Sequence, residues 1–265
     1  MRRYFCFSSA SLQTVLEYRS LMLANLATSL VSTALVVFLW RAVIVQTPGD
    51  EIAGFGPQEI TTYLLAAQLL NVVNMNQADS EISSDVLRGS ISISLVRPVS
   101  YPLVRFMVSL PVVLVNALLI GLPLVLTFGL LFEIEIPSAL GLCLFLLATI
   151  PSVIIGFEIS FLTGVASLVT TNIWGVRVVV TALVGIFSGS LVPIDLMPPL
   201  LADISMVLPF KSMINSPVQL LLGRYDGLSE AALVILGQCA WSAGLLALCT
   251  VLWRGAMRKI EVLGG

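Results

Sequence analysis

The residue of sharpest chemical interest is Glu158, a carboxylate inside an otherwise uncharged apolar run. An ionised group there costs several kcal/mol unless it is paired, solvated or protonated. Two readings stand. Glu158 lines or gates a cavity, with Arg177 as a candidate partner, or it stabilises packing near a water-exposed helix end. Gln68, Asn71 and Asn74 form a second set, spaced i, i+3, i+6 on one broad helical face. Such amides could wall a polar path through a bilayer. Their commoner use is interhelical hydrogen bonding, at ~1 kcal/mol per bond. The third set lies in a polar stretch. Asp85 and Arg88 are three residues apart, with Val86 and Leu87 between them. On a short helix they share a face and suit docking to a soluble partner. An ordinary solvated loop is the bland alternative.

Other chemistry is excluded by what is missing. The chain has no histidine, which removes His-ligated metals, His general bases and His proton relays. No GxxxxGK[ST] phosphate loop occurs, and no Ser or Cys stands beside a base in a nucleophilic motif. Cys6, Cys143, Cys239 and Cys249 are scattered without CxxC spacing and read as apolar packing residues. The expectation is no catalytic residue, no metal and no cofactor. Any work the protein does draws on a partner or an ion gradient.

The elements that hold these residues follow from composition. Of the 265 residues 58% are hydrophobic and 11% charged, and mean hydropathy is +1.03. Soluble domains carry about 25% charged residues, so a water-facing surface cannot be built here. The net charge of −2 gives no reason to expect a nucleic-acid partner. The fold class is all-α integral membrane.

Crossings need about 20 mostly apolar residues. Six runs qualify: 21–40, 60–78, 106–132 (bent at Pro111 and Pro123), 138–165, 174–192 and 231–253. Between the last two, prolines at 193, 198, 199 and 209 punctuate apolar pieces too short to cross. Re-entrant half-helices fit region 193–230, provided other protein shields their backbone. A surface-lying loop is the alternative. Near the N-terminus Leu12, Val15 and Leu16 share a face, so segment 1–20 reads as an interfacial helix or an extension of the first crossing. No cleaved signal peptide is expected.

Orientation follows Lys and Arg. With the N-terminus inside, the inner side holds Arg2, Arg3, Arg19, Arg88, Arg97, Arg105, Arg177, Arg254, Arg258 and Lys259. Only Arg41, Lys211 and Arg224 fall outside, among carboxylates such as Asp50, Glu59, Glu133 and Asp226. Both termini are therefore expected in the cytoplasm. The longest inner loop is 79–101, where Ser80 or Ser83 caps a short helix that Gly89 ends.

The chain resembles the type-2 ABC-exporter permeases, most nearly a bacterial subfamily related to viologen and multidrug exporter permeases. The resemblance rests on Leu87-Arg88-Gly89 through Leu95-Val96-Arg97-Pro98-Val99-Ser100, on Leu208-Pro209-Phe210 with Ser216-Pro217 and Leu222-Gly223-Arg224, and on the tail from Trp253-Arg254-Gly255 to Gly264-Gly265. It implies a single permease domain over 1–265, in the bacterial inner membrane. It implies a coupling helix in 79–101, with Asp85, Val86, Leu87, Arg88 and Arg97 as contacts. It also implies two cytoplasmic ABC ATPase subunits and a second, identical or related, permease. Export by alternating access is the expected activity. The rivals are an ion-gradient-driven secondary transporter, which would lean on Glu158, and a polytopic assembly factor.

Overall fold

A computed structural model describes residues 2–17, 19–47, 52, 54–91, 99–168, 170 and 173–263, without the side chains of 2–5, 16, 19 and 259–263. The described residues are almost entirely helical. The helices are α1 (Arg2–Glu17), α2 (Arg19–Val45), α3 (Pro57–Val73), α4 (Ala78–Leu87), α5 (Tyr101–Asn116), α6 (Leu122–Leu131), α7 (Ala139–Val165), α8 (Ile173–Phe187), α9 (Pro199–Val207), α10 (Asn215–Leu222) and α11 (Gly227–Leu263).

Among the described residues four helical stretches are long and apolar enough to cross a membrane: Ser20–Val45, Tyr101–Leu131, Ala139–Leu168 and Gly227–Arg258. The other two expected crossings are shorter, α3 with 17 residues and α8 with 15. Each stops early for a local reason. Asn74 caps α3, its side-chain amide donating to Leu70 O at 2.9 Å. Beyond α8 the backbone turns at Gly189, with φ +85°, to pass beneath the Tyr63 hydroxyl. A Cβ at Gly189 would sit 2.6 Å from that oxygen, so only glycine fits.

The bend expected at Pro111 and Pro123 lies between them. Ala117–Gly121 is a π turn that joins α5 to α6. Pro123 would press its ring against the carbonyl of Leu119, and the wider turn relieves that clash.

α3 is the hub. Twelve of its residues are buried, and the main apolar cluster surrounds it with Val37, Ile44, Leu124, Phe128, Ile155 and Val218. A smaller cluster of Ala78, Ile82, Tyr101, Phe157, Phe161, Val165 and Cys249 lies beneath α4. There Trp253 stacks flat on Tyr101 at 4.9 Å. By contrast α8 buries nothing, and Leu35, Leu118, Leu147, Val179 and Leu236 are exposed, as lipid-facing residues are.

The arginines sort to the ends of the bundle. Arg105 and Arg177 meet α4 at one end. At the other end Arg224 binds Glu59 at 2.5 Å and Arg41 lies over the Phe132 ring.

α7 carries small residues at every fourth position from Ala148 through Ser152, Gly156 and Ser160 to Gly164. This is the spacing that lets helices in lipid approach closely. Each position is used. Ala148 O accepts from Gln238, Ser152 Oγ donates to Met213 O at 2.5 Å, and Gly156 O accepts from Asn76. Ser160 Oγ accepts the Asp79 N–H, and Gly164 lies against Ile82.

The same seam locates the region before α11. Met213 O lies level with Ser152, at the middle of α7, and α10 leads back until Leu221 O faces Gly141. Those levels are eleven residues apart on α7, roughly 16 Å. α1 lies along α5, held there by Ser11 Oγ, which donates to Val108 O at 2.9 Å.

Candidate functional site

α4 begins one turn earlier than its serines suggest. Asn76 Oδ1 accepts the Ala78 N–H, and Gln77 is the N-cap residue. Ser80 donates back to Gln77 O, and Ser83 is buried inside the helix. The expected serine caps are thus corrected: the Asp79 N–H that a cap would satisfy is already bound by Ser160 of α7. Asp79 and Glu81 in the first turn complement the helix dipole. Gly89, at φ +69°, ends the element.

Ion pairs fasten α4 on two sides. Arg105 of α5 donates to Glu81 at 2.7 Å and to Asp85. The Tyr101 hydroxyl donates to Asp85 Oδ2 at 2.7 Å, and Ser90 Oγ to Oδ1 at 2.9 Å. Burial by itself would raise Asp85, but the Tyr101 hydroxyl and the Arg105 guanidinium outweigh it and hold the carboxyl below its ordinary value. At Glu81 burial wins over the same arginine, and its pKa is raised. On the other side Arg177 of α8 pairs with Asp79.

The residues expected to face a partner therefore divide. Leu87, 66% exposed, and Arg88 are open to solvent, at a cleft they line with Ile173, Trp174 and Arg177 of α8. Val86 is half-buried against the aromatic cluster. Asp85 is turned inward to Tyr101 and Arg105, so it does not share an outward face with Arg88. Arg97 lies outside the described residues.

The amide face of α3 is bound up in the bundle. Gln68 is buried, and its amide approaches Ser190 O at 3.5 Å. Asn74 donates to Ser152 Oγ at 3.2 Å, while Asn71 is half-buried. Tyr63 donates to Gly189 O at 2.9 Å and accepts from Asn215 at 3.2 Å. These bonds favour interhelical glue over a path wall at Gln68 and Asn74.

Glu158 is only 2% exposed. Its Oε1 accepts from Ser242 of α11 at 3.2 Å, and its buried Oε2 has no partner among the described residues. Arg177 is not its counter-ion, because Asp79 already holds that guanidinium.

Sequence reasoning missed the Arg105 and Arg177 clamps, the Tyr63–Gly189–Asn215 cluster and the small-residue seam. The four-residue spacing of that seam was a usable signal. Among the described residues no His, Cys, Asp and Glu cluster could hold a metal. What the arrangement can do is mechanical: a short surface helix is pinned by charge to two others and seated on a third.

A family model described as ABC-2 family transporter protein matches residues 30–264. No curated protein shows a significant match to the chain.

Proposed function

We propose, from the premise that this chain belongs to the ABC-2 family of transporter proteins, that it is the permease subunit of an ATP-driven exporter. Family membership implies association with ABC ATPase subunits. ATP binding would close those subunits, α4 would carry the motion into the bundle, and alternating access would move substrate outward. A second permease, identical or related, completes the assembly in the bacterial inner membrane. Residues 1–265 act as one domain.

The observation that carries this reading is the mounting of α4. Leu87 and Arg88 are open to solvent, while Glu81, Asp85 and Asp79 are locked to α5 and α8. A push on α4 therefore reaches two helices through charge pairs and a third through Gly164. Arg97, outside the described residues, is proposed as a further ATPase contact on the family resemblance alone.

Six crossings are proposed, with α3 and α8 completed by their flanking turns. The gathering of Arg105, Arg177 and Arg254 near the α4 end supports cytoplasmic termini. The level of Met213 against Ser152 supports a re-entrant 193–230 region. Segment 1–20 is read as interfacial.

The test is an affinity pull-down from detergent with Leu87→Asp. The variant should insert normally yet recover little ATPase subunit and support little ATP-driven transport. Equal recovery and equal transport would remove the coupling role of α4. No ATPase recovered with the wild-type chain, in conditions that preserve complexes, would sink the permease reading. Transport that survives ATPase loss and collapses with the proton gradient would instead favour a secondary transporter built on Glu158.

A further inference from the structure

A cavity of about 710 Å³ opens where α1, α2, α4 and α5 meet. Its volume lies within the ~300–1,000 Å³ of small-molecule sites. It is long: along α5 its wall runs from Arg105 to Asn116, eleven residues or roughly 16 Å. Met22, Met75, Val108 and Val112 make its sides apolar, and the two thioethers adapt to an irregular chain.

The hydroxyls of the wall all present acceptors. Ser11, Thr14 and Ser109 line the cavity, and each hydroxyl spends its proton on a backbone carbonyl, at 2.9, 3.1 and 2.8 Å. Only their oxygen lone pairs remain for a guest. Asn116 gives one amide N–H to Met75 O at 3.0 Å, which leaves its carbonyl oxygen and its second N–H. Arg105 is the only cation of the wall among the described residues, and both its terminal nitrogens are engaged by Glu81 and Asp85. Glu81 receives Arg105 on Oε2, and its side chain remains 39% exposed. Asn25 and Gln77 add amides with both functions. Because Glu81 and Asp85 share the single Arg105, this end of the cavity keeps a net negative charge, which disfavours an anionic head and favours a donor-rich cation.

We propose that this cavity binds an amphiphile with an apolar tail and a hydrogen-bond-donating cationic head, such as a primary ammonium. The head sits at Glu81, and the tail runs along Val108 and Val112 between α1 and α2. The site belongs to one chain and does not depend on the exporter reading. Two sources share this chemistry: an aminophospholipid of the bilayer and a transported amphiphilic amine.

The probe is dodecylammonium carrying a photoreactive diazirine in its tail, with a sulfonate-headed analogue as control. The full chain is held in phosphatidylcholine nanodiscs, and labelled peptides are mapped by mass spectrometry. The ammonium probe should label α1, the start of α2 and α5, saturably. Glu81→Gln should weaken its apparent affinity about tenfold, the loss of one charge-assisted contact. Val112→Trp should abolish labelling by filling the tail channel. Labelling spread over α8 and α11, or equal labelling by the sulfonate probe, would overturn the site even if neither variant folds. Competition by added phosphatidylethanolamine would identify a bilayer lipid as the occupant. Labelling that phosphatidylethanolamine leaves intact would identify the soluble amine. Recovery or loss of an ATPase subunit tests the exporter reading separately and does not move this result.

Discussion

Arg177 at the start of α8 pairs with Asp79 at the start of α4, across 98 residues of sequence. Asp79 is nearly buried and Arg177 is about half exposed. Removing the arginine strands a carboxylate, whereas removing both charges does not. Arg177→Gln should therefore destabilise the detergent-solubilised chain by about 1–2 kcal/mol, discounted for the exposed guanidinium. Asp79→Asn with Arg177→Gln should regain part of that loss. A double-mutant cycle on thermal unfolding checks this, and additive losses would refute the pairing.

Asp85 and Glu81 share Arg105 but should respond oppositely to acid. Asp85 has a lowered pKa, so its contribution is present above the ordinary carboxylate range and is lost as pH falls through the folded value. Glu81 has a raised pKa, so its carboxylate weakens the fold as pH rises through the range between its unfolded and folded values. At neutral pH Asp85→Asn should cost about 1–3 kcal/mol and Glu81→Gln less. The Asp85→Asn deficit should shrink in acid. Thermal melts at neutral and acid pH measure both, and a pH-independent Asp85→Asn deficit would contradict the assignment.

Gly164 is where α4 sits closest to α7. A Cβ there would come within 2.9 Å of the Ile82 side chain and 3.0 Å of the Asp79 backbone. Gly164→Ala should lift α4 and cost about 1–3 kcal/mol. Gly237 and Gly244 on α11 face open space, so alanine there should be neutral or add up to ~1 kcal/mol through helix propensity. Retention of the folded peak in size-exclusion chromatography after graded heating separates the two cases.

Glu158 should matter for transport rather than for folding. Its Oε2 is buried without a partner among the described residues, and Ser242 needs only an acceptor at Oε1. Glu158→Gln keeps the shape and that acceptor. Its stability should stay within about 1 kcal/mol of wild type, while ATP-driven transport by the assembled complex falls. Normal expression with wild-type transport would leave Glu158 a packing residue.

Much of the fold was legible along the chain. The run 138–165 is α7 almost residue for residue, because an apolar stretch in lipid must satisfy its backbone as a helix. The short helix before Gly89 was legible from the glycine itself. The irregularity near Pro111 and Pro123 was legible as an event but not as a π turn, since a proline marks a break without fixing the kind of turn that absorbs it.

The amino-acid sequence alone determined the class of molecule. Hydropathy and charge act residue by residue, and the solvent reads them before any helix meets another. Only the tertiary structure decided who pairs with whom. Arg177 had two carboxylates to choose from and took Asp79, because α4 seats its first turn on Ser160 and Gly164 beside α8. Asp85 turned from the expected outward face to Tyr101 and Arg105, and Asn74 became a strut to Ser152. Such choices depend on the close approach of segments between 16 and 98 residues apart, which no local pattern of residue types encodes.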